Sequence, residues 1–163
     1  MKLKGVIFED WVNYKKCSMV LEFPYCDFKC NRDCGMEVCH NYHMQGYPLL
    51  NIRTNKLVEL YMQNDICEAV VCQGLEPFDS WDDLWHFISD LRRVSLDDIV
   101  IYTGYTEEEI YNKRYIMNNL KQFPNIIIKY GRFVPNQEKH YDEVLGVWLS
   151  SDNQYAKRIL LDD

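Results

Sequence analysis

No apolar run in these 163 residues approaches the roughly 20 that a membrane-spanning helix needs. The first ten residues mix both charges and lack the apolar core of a secretory leader. Positive charge is in deficit, with 18 Lys and Arg against 25 Asp and Glu, for a formal net charge of −7. A surface of that sign repels a phosphate backbone, so no nucleic acid is expected as a partner. The twelve tyrosines are scattered and no basic stripe accompanies them, so they form no base-stacking platform. Internal repeats, low-complexity tracts and Pro/Gly/Ser-rich linkers are also missing. The expectation is a cytoplasmic protein with no membrane partner, built as a single domain over residues 1–163 around one core.

What remains is a globular mixture with 47% apolar residues. Strand signals fall at residues 6–8 (a short edge strand), 18–23, 69–72, 98–102, 125–130 and 145–149. Helix signals lie between them. Leu57, Leu60 and Tyr61 share one face of residues 54–63. Trp81, Leu84, Trp85, Ile88 and Leu91 do the same in residues 80–93, with Ser80 as N-cap and Asp82 and Asp83 in the first turn. Thr106 opens another helix as a capping box with Glu109, and the acidic run 107–109 suits a helix N-terminus. Residues 25–48 are polar and aperiodic, and read as a long functional loop. Strands alternating with helices imply βαβ units. The fold class expected is α/β, a partial (β/α) barrel or an open, mostly parallel sheet of five to six strands with flanking helices. A closed eight-stranded barrel needs roughly 250 residues.

In such folds ligands sit beyond the carboxyl ends of the strands. Polar or small clusters follow the predicted strands at residues 73–77, 103–105, 131–133 and 150–154, and the cysteine loop follows residue 23. Loops of this kind are commonly polar, so this pattern alone is weak. The cysteines are stronger. There are seven, and Cys26, Cys30, Cys34 and Cys39 fall within fourteen residues. In a reducing compartment such a cluster points to metal rather than disulfides. Three thiolates can hold a [4Fe–4S] cluster and leave one iron open, and four can close a zinc site. The spacing alone does not separate these. Cys17, Cys67 and Cys72 lie in or near apolar stretches and read as small core residues.

The stretch Cys26-Asp27-Phe28-Lys29-Cys30, with Val38-Cys39-His40-Asn41, resembles the cluster loop of radical S-adenosylmethionine (SAM) enzymes. It is most similar to the activases of glycyl radical enzymes, whose pattern is Cys-x3-Cys-x2-Cys. Here eight residues separate Cys30 from Cys39. Cys39 is taken as the third ligand, residues 32–37 as an insertion, and Cys34 as the alternative. Gly74-Leu75-Glu76-Pro77 resembles the Gly-Gly-Glu-Pro motif of that superfamily, with Leu75 in place of one glycine. Residues 101–105, Gly131-Arg132-Phe133 and residues 150–154 resemble segments of the activating protein of anaerobic ribonucleotide reductase. Tyr130 stands where those proteins often have aspartate.

The resemblance implies a radical SAM oxidoreductase. Cys26, Cys30 and Cys39 would hold a [4Fe–4S] cluster. One electron would pass to the sulfonium of SAM, giving methionine and a 5′-deoxyadenosyl radical that abstracts hydrogen from a glycine of a partner enzyme. Gly74, Leu75 and Glu76 would meet the SAM amino group, Val38 the adenine, and Thr103 and Ser150 the ribose or carboxylate. No catalytic residue beyond the cofactor ligands is implied. The partner would be a glycyl radical enzyme, namely the catalytic subunit of anaerobic ribonucleotide reductase, and flavodoxin or ferredoxin would donate the electron. Residues 25–48 and 131–141 are the expected docking segments. His40 and His43 read as hydrogen-bonding neighbours of the cluster. The plainer readings make Glu76 the start of the next helix, Thr103-Gly104 a turn, and residues 150–154 a solvated loop. The alternative functions are a short radical SAM enzyme acting on a small molecule, and a non-catalytic cluster- or zinc-binding module.

Overall fold

The computed structural model describes residues 1–161. The chain begins with β1 (Lys2–Leu3), β2 (Gly5–Asp10), β3 (Ser18–Phe23), α1 (Lys29–Cys34), β4 (Leu50–Asn51) and α2 (Thr54–Met62). It continues through β5 (Ala69–Gly74), α3 (Trp81–Arg92), β6 (Asp98–Tyr102), α4 (Glu107–Asn112), α5 (Arg114–Leu120) and β7 (Ile126–Tyr130). It closes with β8 (His140–Asp142), β9 (Val147–Leu149) and β10 (Tyr155–Arg158). Turns of 3-10 helix occupy Tyr42–Gly46 and Pro77–Ser80.

Six strands form one open sheet in the order β10-β7-β6-β5-β3-β2. The four inner strands are parallel, and β2 and β10 pair antiparallel at the two edges. The sheet does not close into a barrel. Parallel strands covered on both faces need apolar residues on both, and every residue of β7 is buried. The period of two then divides the core. Met19, Leu21, Phe23, Val70, Ile99, Ile101, Ile126 and Ile128 share one apolar cluster with Leu57, Leu84, Phe87, Ile88, Ile110 and Leu120 of the helices. Val20, Val71, Val100 and Ile127 instead meet Tyr14, Leu145 and Leu149. Helices thus cover one face, while the β8–β9 hairpin and residues 11–16 cover the other.

Several elements differ from those the sequence predicts. Residues 145–149 are no strand of the main sheet: among the described residues β9 pairs only with β8, because Leu145 and Leu149 turn inward onto the second face while Trp148 stays exposed. The edge place goes to β10, which the sequence reading missed. Residues 25–48 are not structureless, since they hold α1 and a 3-10 turn. Neither has an apolar face, and α1 buries no residue, so no periodicity announced them. Ser80 precedes α3 but makes no capping bond, and among the described residues its buried hydroxyl has no partner. The capping box of Thr106 and Glu109 is present in both directions. Among the described residues no helix is long and apolar enough to cross a membrane.

Gly74 ends β5 with φ at +99°. A Cβ there would lie 2.8 Å from the Phe23 backbone nitrogen and 2.9 Å from Glu22 Cα, both on the neighbouring strand. Neither backbone atom can swing aside as a side-chain tip would. Gly74→Ala is therefore expected to lower the unfolding free energy by at least about 2 kcal/mol, through dihedral strain and overlap together. Urea unfolding of the iron-free chain measures this.

Candidate functional site

A cavity of about 380 Å³ opens beyond the carboxyl ends of the inner strands. Cys26, Cys30, Cys39, His40 and Asn41 of the cysteine segment line it. So do Gln73, Gly74, Leu75 and Glu76 after β5, and Tyr102, Thr103 and Gly104 after β6. Lys129, Arg132 and Phe133 come from β7 and its continuation. Val12, Trp148, Leu149, Ser150 and Gln154 also form part of the wall. Parallel strands deliver all their carboxyl ends to one rim, which is why positions so distant in sequence meet here.

The sequence candidates divide cleanly. Cys26, Cys30, Cys39, Gly74, Leu75, Glu76, Thr103 and Ser150 all line this cavity, whereas Cys34 and Val38 do not. Val38 is tied back instead by its amide, which donates to Asn31 Oδ1. Leu75 has an ordinary backbone conformation and donates its N–H to Phe23 O at 3.1 Å. A glycine is therefore not required at that position. Tyr130 is buried against Tyr155, with ring centroids 5.6 Å apart, and stays out of the cavity.

Glu76 is buried and collects three donors. Its Oε1 accepts from the Phe78 N–H at 3.1 Å and from the Thr103 hydroxyl at 2.8 Å. Its Oε2 accepts from the Gly104 N–H at 2.8 Å. The first bond caps the 3-10 turn, so the plainer reading of Glu76 holds as well. The other two bonds reach across to the end of β6, which a simple cap would not do. Burial pushes the carboxyl up to about 7, against these donors.

Lys129 is the residue that sequence reasoning missed. It is 7% exposed, and its ammonium donates to Gly131 O at 3.0 Å. Burial lowers its pKa to about 8, and the Glu76 charge partly restores it. An ammonium has three N–H bonds, and among the described residues Gly131 O is its one acceptor. A lysine directly after the apolar run Ile126-Ile127-Ile128, within the same predicted strand, was the available signal. Asn41 donates to Gly74 O at 2.9 Å and leaves that carbonyl one further lone pair. Glu109 joins Lys29 at 3.3 Å and Arg132 at 2.7 Å. Burial would raise Glu109, but the guanidinium and the Thr106 N–H hold it down to about 2.

Burial pushes the Cys26 thiol up to about 12 and Cys30 to about 11, the latter also through the neighbouring Cys39 thiol. These thiols are protonated at neutral pH until a metal displaces the proton. Among the described residues no three His, Cys, Asp or Glu side chains converge closely enough to hold a single metal ion. Three thiols set around one cavity instead suit a multi-iron group, in which each binds a different iron. The donor set therefore fits a cluster.

The Glu76 carboxyl gives a signed pH effect. Its folded pKa of about 7 lies above the ordinary 4.5, so folding favours the neutral form. Stability should fall as pH rises between those values, by up to about 3 kcal/mol in the iron-free chain. Urea unfolding of wild type and Glu76→Gln from about pH 5 to about pH 8 checks this: the difference between the two should narrow or reverse as pH rises.

No curated protein and no solved structure matches the chain. A family model does, over residues 15–156, a span that includes the cysteine segment, every inner strand and the β8–β9 hairpin. With thiols fit for a cluster in the cavity and the match covering most of its length, the chain belongs to the 4Fe-4S single cluster domain family.

Proposed function

We propose that the protein is a radical SAM activase that cleaves SAM reductively and places a glycyl radical on a partner enzyme. One observation carries the reading: Cys26, Cys30 and Cys39 line the same cavity as Glu76, Thr103 and Lys129. A cluster domain alone accounts for the thiols. It does not account for a buried carboxylate and a buried ammonium beside them.

The three thiolates would hold the [4Fe–4S] cluster, which when bound supplies an open iron and one electron for cleaving the sulfonium. The chain's own residues would place the ligand. SAM carries an amino acid head group with one ammonium and one carboxylate. The Glu76 carboxylate and the Gly74 carbonyl offer acceptors to the ammonium, while Lys129 offers donors to the carboxylate. Thr103 keeps Glu76 aimed rather than touching ribose, because its hydroxyl is committed to Oε1. Phe133, Tyr102 and Leu149 add apolar wall, which keeps water from a reactive radical. A glycine Cα has to enter directly, since such a radical cannot cross solvent. The proposed partner is the catalytic subunit of anaerobic ribonucleotide reductase, on the resemblance of residues 101–105 and 150–154. Flavodoxin or ferredoxin is the proposed electron donor.

Cys26→Ala, Cys30→Ala and Cys39→Ala should each abolish stable iron loading, while Cys34→Ala should keep about four irons. Iron analysis after anaerobic reconstitution decides it, and loss of iron in Cys34→Ala with retention in Cys39→Ala would reverse the assignment of the third ligand. Lys129→Met should weaken SAM binding to the loaded protein about ten- to a hundred-fold, as expected for a lost charge-assisted hydrogen bond. Calorimetry measures this, and unchanged affinity removes Lys129 from the head-group site. Reduced protein, SAM and the reductase together should yield methionine, 5′-deoxyadenosine and a glycyl-radical doublet in electron paramagnetic resonance. Cleavage without that doublet favours a small-molecule enzyme, and no cleavage leaves a cluster-binding module.

A further inference from the structure

Eight residues separate Cys30 from Cys39, yet both thiols line one cavity. The intervening chain leaves and returns. Helix α1 carries it away over Lys29–Cys34 at about 1.5 Å per residue, so Cys34 sits roughly one turn beyond Cys30. Gly35 then reverses the direction at φ +65°, where its N–H caps the helix onto Arg32 O and Asn31 O. The Met36 N–H follows, donating to Asn31 O at 3.2 Å. On the way back, the side chain of Asn31 receives the chain. Its Oδ1 accepts from both the Val38 N–H and the Cys39 N–H, each at 2.9 Å. The same oxygen lies 3.8 Å from the Cys30 sulfur.

We infer that Asn31 is a positioning residue whose amide oxygen brackets the two ends of this excursion, presenting Cys39 next to Cys30 as the third cluster ligand. Cys39 as ligand rests on the proposed cluster reading, whereas the bracket does not. The oxygen sits one residue after Cys30 and binds the backbone of Cys39 itself, so it fixes the distance between the two thiols directly. An alanine would leave two half-buried N–H groups without that acceptor, and the returning segment would lose its bonds at Val38 and Cys39 while keeping those of Gly35 and Met36 before them and of Asn41 after them. An aspartate has the same reach and accepts both bonds. Cys34 has no such tether and no place in the cavity lining.

Two measurements on iron-free protein test the bracket. In wild type, hydrogen exchange should find the Val38 and Cys39 amides protected relative to Glu37. Equal exchange at all three overturns the inference, whether or not any variant folds. In Asn31→Ala, alkylation of Cys39 followed by mass spectrometry should quicken on the order of tenfold, as expected for losing two hydrogen bonds, while Cys34 stays unchanged. Asn31→Asp should restore the wild-type rate. An unchanged Cys39 rate in a folded Asn31→Ala overturns the inference. Iron loading should follow the same order, lost in Asn31→Ala and kept in Asn31→Asp. Wild type that protects both amides but takes up no iron supports the bracket and counts against the cluster reading.

Discussion

The buried carboxylate of Glu76 is the constraint on which the cavity depends. It stands just past the end of β5 and gathers the Phe78 N–H, the Thr103 hydroxyl and the Gly104 N–H. These join β5, the 3-10 turn after it and the end of β6. The backbone around it extends the same hold to the cysteine segment. The Glu76 N–H donates to Tyr25 O, one residue before Cys26, at 2.7 Å. The Gly74 carbonyl receives Asn41, two residues after Cys39. Two residues at one strand end, Gly74 and Glu76, thus fix both flanks of the thiol-bearing loop. The arrangement tolerates leucine at position 75, whose conformation is ordinary, and demands glycine at 74, where the neighbouring strand passes within van der Waals reach.

Burying an acid in such a place is costly unless its charge is answered. Three neutral donors answer it in part, and Lys129 sets a buried ammonium in the same cavity. A carboxylate and an ammonium that are both partly unsatisfied suit a ligand with the reverse pair of charges. In the proposed reading, that complementarity is what separates this cavity from a plain cluster pocket. The coverage of the sheet also matters. Helices protect one face, while a small hairpin and residues 11–16 protect the other. From that lighter side Val12 and Trp148, 75% and 68% exposed, reach the cavity wall, so the site keeps an apolar edge open to solvent.

Much of this was legible in the chain. The inner strands announced themselves as short apolar runs, and Thr106 with Glu109 announced a helix start, because these signals are local. The cluster loop was legible as chemistry, since thiols at those spacings have few other uses. The segments that escaped were those whose structure has no local period. Helix α1 has no buried residue, so nothing in its pattern marks it. Strand β9 looks like any short apolar strand, and only its partner tells that it belongs to a hairpin on the second face.

Local side-chain pattern sets the α/β class, the order of the inner strands along the chain, and the kinds of atom available to hold iron. These follow from side-chain chemistry and from periods of two and 3.6 residues, which act over a few positions. Tertiary structure alone decided which thiols share a cavity, because the detour from Cys30 to Cys39 closes through Asn31 rather than through any spacing rule. It also decided that Lys129 faces the site and Tyr130 does not. Adjacent residues of a strand point to opposite faces, and only the packed sheet determines which face is the cavity.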